Sequence, residues 1–286
     1  MDILGAILYF LAYFFISLLL IFLSFLALSF FSPTPISDMG TVRYRTIPYM
    51  TFALILANAL VFLLWLAPDL YQATSLRELY PYVENIYTYG LRESFLRDGV
   101  SIGAFTTFTA MFMHGDLGHI LINMIYLWTF GRRVEDACGS WRFLLFYLAA
   151  GMFANIGELV LNPVNDDIPA FGASGAIFGV MGAYLLLFPT ARIQCIWVMG
   201  SIFRMPFALM RDQDAWSWTV SIPAWILLIQ YGILEALPSF QTMLQGYGLD
   251  DGIAHIAHFA GFLSSLLVFL YVRKDLFARY IRGRSI

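Results

Sequence analysis

Seven apolar segments of about bilayer-spanning length dominate this chain, and they constrain its fold more than any other feature. A run of roughly 20 apolar residues crosses the hydrocarbon core as a helix, because its backbone groups must be hydrogen-bonded within the protein. Only 12% of the 286 residues are charged, whereas 60% are hydrophobic, and a soluble domain carries about 25% charged residues. The sequence therefore predicts an all-α polytopic membrane protein. The predicted spans are 3–31, 47–67, 112–131, 143–161, 172–189, 221–238 and 252–272.

The distribution of basic residues predicts an orientation in the membrane. Thirteen of the sixteen Lys and Arg residues lie in alternate connections on one side or in the C-terminal tail. Because basic connections remain in the cytoplasm, we expect the N-terminus outside and the C-terminus inside, in the plasma or inner membrane of the cell. The two cysteines, Cys138 and Cys195, then fall on the cytoplasmic side, where a structural disulfide is not expected.

The same pattern predicts four regions in the chain. Residues 1–32 are predicted to form an extra N-terminal transmembrane helix. The segment lacks the basic start of a signal peptide, and its apolar run is longer than the hydrophobic region of a signal peptide. Residues 33–46 are a cytoplasmic linker, residues 47–272 are the core, and residues 273–286 are a basic cytoplasmic tail. The long connection 190–220 carries an apolar piece, 193–203, that is too short to span a bilayer.

Four polar residues inside the predicted spans are candidates for chemistry. Ser174 lies at the start of one span, and His258 lies about two turns into the last span. His119 and Asn123 are four residues apart, so they share one helical face. Polar groups are expensive to hold within a bilayer and usually mark function. With the predicted orientation, all four lie in the outer half of the membrane.

These residues suggest a serine hydrolase. A serine hydroxyl is a poor nucleophile until a base accepts its proton, and the chain has four histidines. Because Glu158 and Glu235 lie near the ends of predicted spans, we expect a Ser–His dyad without an acidic third member. His119 and Asn123 would supply donors to an oxyanion. Phe178, one turn after Ser174, would stack on the base.

Simpler interpretations remain open at this point. Small residues recur every fourth position around Ser174 and His258, and such ridges let membrane helices pack closely. His255 and His258 are three residues apart and would suit a metal if His119 or His114 supplied a third ligand. Neither the H-E-x-x-H motif nor the G-x-S-x-G nucleophile elbow occurs. The two ridges are Gly175–Gly179–Ala183 and Ala257–Gly261–Ser265.

Four motifs, in the family's order, make the chain resemble the rhomboid family of intramembrane serine proteases from about Ile47 to Val272. The segment Phe112–Asn123 resembles the family's H-x4-H-x3-N pattern, and Phe130–Asp136 follows as in the family. Gly172–Gly175 resembles the family's nucleophile motif, and Ala257–Gly261 resembles the family's base motif, A-H-x-x-G. Many members carry Trp-Arg where this chain has Phe105-Thr106.

The resemblance implies a six-helix core with one extra helix at the N-terminus. It implies Ser174 as nucleophile, His258 as general base, and His119 and Asn123 beside the oxyanion. Neither a cofactor nor a metal is expected. The expected substrates are single-span transmembrane proteins met within the lipid bilayer, and no nucleic acid is expected as a partner. A catalytically silent rhomboid-like protein that binds membrane clients is the alternative; a transporter is disfavoured because its pathway charges are missing.

Overall fold

The computed structural model describes residues 15, 19, 23, 29–30, 32–39, 46–94, 101–162, 167–211, 217–245 and 253–272. The chain forms two compact units, Met1–Ser37 with Ile193–Ile222, and Asp38–Arg192 with Pro223–Ile286. Five residues of the predicted helix 3–31 are described, and all five are helical. The rest of that segment and the tail 273–286 lie outside the described residues.

Helices make up most of the described chain. In chain order they are α1 (Tyr49–Val61), α2 (Ala67–Gln72), α3 (Tyr80–Tyr89), α4 (Ser101–Thr109), α5 (Leu117–Tyr126), α6 (Arg132–Cys138), α7 (Ser140–Leu161), α8 (Ser174–Leu187), α9 (Val198–Arg211), α10 (Ala224–Gln245) and α11 (His255–Val272). Short π-helical turns, Phe62–Leu66 and Leu127–Gly131, join α1 to α2 and α5 to α6, and the 3-10 turn Ala110–Phe112 follows α4.

Each of the six predicted spans in 47–272 contains a helix, but several boundaries differ; α2 and α6, for example, continue two of the helices beyond the predicted ends at residues 67 and 131. The span predicted from residue 112 becomes helical only at Leu117, because the Asp116 carboxylate accepts a hydrogen bond from His119 N at 2.9 Å and caps the helix there. The span predicted to end at residue 238 continues through Pro238 to Gln245. Helices α3, α4 and α9 were not predicted.

Large apolar side chains cover the outside of the second unit. Leu64 and Val160, for example, expose 73% and 71% of their surface. A water-soluble monomer rarely exposes such faces. Among the described residues, two helices, Tyr49–Gln72 and Ser140–Leu161, are long and apolar enough to cross a membrane. The surface thus matches the lipid environment predicted from composition.

A three-stranded sheet corrects the predicted all-α fold. Strands β1 (Thr34–Asp38), β2 (Arg192–Ile196) and β3 (Thr219–Pro223) pair in that order, almost entirely within the first unit. Alternate residues of β2, Ile193 and Cys195, are buried, as the period of two in a strand requires. The prediction missed it because five-residue strands are too short to stand out beside apolar helices. Strand β1 lies inside the predicted linker 33–46.

Two helices of the second unit meet at backbone distance. A Cβ atom added at Gly261 of α11 would collide with the carbonyl oxygen of Gly175 in α8. One added at Gly179 would lie 2.5 Å from Ala150 Cβ of α7. The two small-residue ridges of the sequence therefore face each other, and glycine is required where the backbones touch.

Acidic side chains from neighbouring helices hold the first turns of α1 and α11. Glu135 is fully buried and accepts hydrogen bonds from Met50 N at 2.9 Å and Thr51 N at 2.8 Å. Glu158 of α7 accepts one from Ala257 N at 2.8 Å. The first N–H groups of a helix lack partners within the helix, so a carboxylate there satisfies a donor and complements the helix dipole.

We predict that Gly261→Ala destabilises the protein although alanine is the better helix former. The substitution gains up to about 1 kcal/mol of helix propensity, but overpacking against the Gly175 backbone costs about 1–3 kcal/mol. The matched control is Gly232→Ala, whose Cβ would lie 3.3 Å from a ring carbon of Phe262, a side chain that is able to shift. Thermal unfolding in detergent compares the two; equal stability would contradict the backbone contact.

Candidate active site

Ser174 lies at the first position of α8, behind a turn that only glycine forms easily. Gly172 has a φ of +131°, and its N–H donates to Ala110 O at 2.8 Å. This conformation strains any residue with a Cβ. The turn ends the extended segment before α8 and directs the chain into the helix at Ser174, so the hydroxyl stands beside unpaired N–H groups of the first turn.

The structure brings His258 of α11 to Ser174. His258 Nε2 lies 2.7 Å from Ser174 Oγ. The Phe178 ring, one turn after Ser174, stacks on the His258 imidazole with centroids 4.5 Å apart and an interplanar angle of 14°. The backbone contact between Gly175 and Gly261 lies close by on the same two helices, and it is what makes so short a contact possible.

His119 of α5 lies next to the Gly172 turn. A Cβ at Gly172 would lie 2.9 Å from His119 Nε2 and 3.5 Å from Ser174 Oγ, so the imidazole and the hydroxyl face the same small space. The N–H of Gly115 points to His119 Nδ1 at a long 3.5 Å. An acceptor role for Nδ1 leaves the proton on Nε2, which then serves as a donor toward that space.

Asn123 lies one turn after His119 on α5. The residue is 6% exposed, and its Nδ2 has no hydrogen-bond partner among the described residues. A buried donor without an acceptor costs about 1–3 kcal/mol. A bound ligand oxygen that accepts hydrogen bonds from Asn123 Nδ2 would remove this free-energy cost.

His114 precedes α5 and is fully buried. Its ring meets the His119 ring edge-to-face with centroids 5.0 Å apart. The contact restricts the orientation of His119 from behind. His114 thus packs against the residue that faces Ser174, not against Ser174 itself.

One carboxylate near the base was missed by the sequence reasoning. Glu235 Oε2 lies 2.6 Å from His255 Nδ1 and 3.2 Å from His258 Nδ1. The expectation that no carboxylate stands near the imidazole was therefore wrong. The reason is the length of α10: because the helix runs on to Gln245, Glu235 lies in its middle and not at its end. An acid within so apolar a helix was the available signal, since such a charge is seldom left unpaired.

A hydrogen-bonded loop contact holds the segment in front of Ser174. Residues Leu91 and Ala170 form an isolated antiparallel bridge, with N–H to O distances of 2.9 Å in both directions. Beside it, Asp167 accepts from Ser94 N at 3.0 Å and pairs with Arg92 at 3.0 Å. Burial works against the charged form, but the Ser94 hydrogen bonds and Arg92 outweigh it and hold the pKa of Asp167 below its usual value. The contact therefore persists into acid.

Within the described ranges, no three His, Cys, Asp or Glu side chains are arranged to hold a metal ion. The two histidines that sequence spacing offered as a metal pair, His255 and His258, instead have their Nδ1 atoms 2.6 Å and 3.2 Å from Glu235 Oε2. Cys138 and Cys195 are both buried, and neither forms a disulfide.

Comparison with known proteins gives a family for this arrangement. A family model described as Rhomboid domain matches residues 103–275. "Rhomboid protease GluP" of Bacillus subtilis (strain 168) is 40% identical over 93 residues, which are 32% of this chain and 18% of that protein. "Putative rhomboid protease YdcA" of the same organism is 39% identical over 79 residues, covering 28% of this chain and 39% of that protein.

A mouse protein is similar over a longer segment. "Presenilin-associated rhomboid-like protein, mitochondrial" of Mus musculus is 31% identical over 146 residues, or 51% of this chain and 34% of that protein. The chain thus matches less than two fifths of the length of each of these three relatives. The range matched by the family model, residues 103–275, includes the candidate site.

Proposed function

This chain belongs to the rhomboid family of membrane-embedded proteins, and we propose that it is an intramembrane serine endopeptidase. The observation that carries the proposal is the 2.7 Å contact between Ser174 Oγ and His258 Nε2. A base within hydrogen-bonding reach of the hydroxyl is the requirement for a nucleophilic serine. The family includes serine proteases that act on transmembrane substrates.

In the proposed acylation step, His258 Nε2 takes the proton of Ser174 as Oγ bonds to the scissile carbonyl carbon. The carbonyl oxygen becomes an oxyanion, and collapse of the tetrahedral species breaks the C–N bond. The leaving amine receives the proton from His258. Water then repeats the sequence on the ester: His258 accepts its proton, the carboxylate product departs, and Ser174 recovers its hydrogen.

Donors around Ser174 support the oxyanion part of this proposal. His119 Nε2 faces the space beside Gly172, and Asn123 Nδ2 is a buried amide without a partner among the described residues. The first N–H groups of α8 add donors that need no side chain. Fixed donors in a water-poor site stabilise developing negative charge without reorganising.

The proposed substrates are single-span transmembrane proteins that enter from the bilayer. A membrane helix shields its peptide bonds by its own hydrogen bonds, so a substrate segment must unwind before Ser174 reaches a carbonyl. Segments with small or helix-breaking residues meet this requirement at lower cost. The proposed chemistry needs neither a metal nor a cofactor.

We predict that Ser174→Ala abolishes cleavage of a single-span model substrate in proteoliposomes, because it removes the hydroxyl that forms the ester. His258→Ala should abolish both cleavage and labelling by a serine-directed fluorophosphonate. His255→Ala is the matched control, since His255 Nδ1 contacts Glu235 and not Ser174, and it should retain much of both signals. Loss in His255→Ala with retention in His258→Ala would reverse the assignment. A wild-type protein that binds substrate but neither cleaves nor labels would favour the silent binding protein.

We predict that Asn123→Ala lowers kcat more than it raises KM, because its donors act on an oxygen charged only in the transition state. A single donor of this kind is worth on the order of 10²–10³ in kcat, and sharing with His119 and the α8 backbone should bring the loss to the lower end. Asn58→Ala is the control: Asn58 is also buried, but it donates to Leu54 O within α1 at 2.8 Å. An effect of Asn123→Ala confined to KM would contradict the role.

We also propose that the chain is a multi-pass protein of the plasma or inner membrane with its N-terminus outside and its C-terminus cytoplasmic. The uneven distribution of the sixteen basic residues supports this orientation. Reporters fused to the two ends should read opposite sides of the membrane. Cytoplasmic signals from both ends would mean that the first apolar segment does not span.

A further inference from the structure

Glu235 of α10 lies between two histidines of α11 that are one turn apart. One oxygen, Oε2, lies 2.6 Å from His255 Nδ1 and 3.2 Å from His258 Nδ1. The side chains of Glu235, His255 and His258 are only 12–13% exposed. At such burial an interaction between a carboxylate and an imidazole is screened far less than at a surface.

The position of Glu235 matters because of the proton on His258. The imidazole accepts a proton at Nε2 only if Nε2 is bare beforehand, so the neutral ring must carry its hydrogen on Nδ1. His258 Nδ1 is buried and makes no well-formed hydrogen bond to any described residue. Glu235 Oε2, at 3.2 Å, is within ion-pair distance but outside hydrogen-bond geometry.

We propose that Glu235 is a positioning residue for His258: its carboxylate holds the imidazole in the Nδ1–H form and stabilises the imidazolium that follows proton transfer from Ser174. This inference rests on the proposed protease function and adds an acidic third member to its Ser–His pair. His255 Nδ1 contacts the same carboxylate oxygen at 2.6 Å.

Glu158 and His119 are further ionisable side chains near His258. Glu158 of α7 is near both histidines, but its oxygens accept hydrogen bonds from Ala257 N at 2.8 Å and Asn162 Nδ2 at 2.8 Å. His119 of α5 faces the space beside Gly172, where a Cβ would lie 2.9 Å from its Nε2. Helix α8 presents Ser174 and Phe178, which carry no charge.

The competing explanation is that Glu235 only ties α10 to α11 through His255. Charge and shape separate the two roles. Glu235→Gln keeps the shape, removes the charge and introduces an N–H donor, which favours the wrong imidazole tautomer. Glu235→Asp keeps the charge on a shorter side chain. If positioning by charge matters, Asp should be the better substitute; if only shape matters, Gln should be.

The kinetic test measures kcat and KM for cleavage of a single-span substrate by the full-length chain in proteoliposomes. Glu235→Gln should lower kcat about 10- to 100-fold, as for loss of one charge-assisted hydrogen bond, with KM little changed. Glu235→Asp should recover part of the loss. Glu158→Gln, which removes a neighbouring buried charge but retains an acceptor for Ala257 N, is the matched control and should change kcat much less.

The His255→Ala background distinguishes action on His258 from action through His255. If Glu235 acts only by pairing with His255, then Glu235→Gln should have no further effect once His255 is gone. We expect Glu235→Gln to lower kcat by a similar factor in both backgrounds. A loss that disappears in the His255→Ala protein would overturn the proposal.

A spectroscopic test does not depend on activity. Because the chain has only four histidines, 15N spectra of histidine-labelled protein in micelles can be assigned by single substitutions. We expect His258 to be the Nδ1–H tautomer in the wild type and to shift toward Nε2–H in Glu235→Gln. An unchanged tautomer would overturn the positioning role even if the wild type cleaves. A wild type that neither cleaves nor labels would overturn the protease function, while the tautomer shift would still support the contact with Glu235.

Discussion

The contact between the backbones of α8 and α11 is the constraint on which the candidate site depends. Gly261 faces the carbonyl oxygen of Gly175 with no room for a Cβ atom. Ser174 lies one residue before Gly175, and His258 lies about one turn before Gly261, so close approach of the glycines brings hydroxyl and imidazole to 2.7 Å. A wider separation of the helices would leave both residues in place on their own helices but out of reach of each other.

Acidic side chains also join pairs of helices in the second unit. A carboxylate within an apolar bundle is costly unless its charge meets donors. Glu135 meets the first N–H groups of α1, Glu158 meets Ala257 N of α11, and Glu235 meets two imidazoles. Each of these acids thus connects two different helices. In this arrangement, the groups that lock the helices together also surround the imidazole with fixed charges and dipoles.

The sequence by itself determined which residues are candidates and which helices carry them. A long apolar segment predicts a helix, because a chain that crosses the bilayer must satisfy its backbone hydrogen bonds within the segment. Each of the six spans predicted in 47–272 does contain a helix. The i, i+4 spacing of His119 and Asn123, the glycine ridges and the Gly-x-Ser-Gly turn are local properties, readable from neighbouring residues. The order of the motifs likewise predicted the family, and the Rhomboid domain match to residues 103–275 confirms that prediction.

Only the tertiary structure decided the relations between distant segments. His255 and His258 lie one turn apart on α11; the packing of α8 on α11 brings His258 to Ser174, and the packing of α10 on α11 brings His255 to Glu235. Nothing local predicted that α10 continues through Pro238 and so brings Glu235 to the base, since proline usually ends a helix and the apolar run stops there. The short strands β1, β2 and β3 escaped prediction for the same reason: their hydrogen bonds join segments far apart in the chain, and no five-residue pattern records its partner.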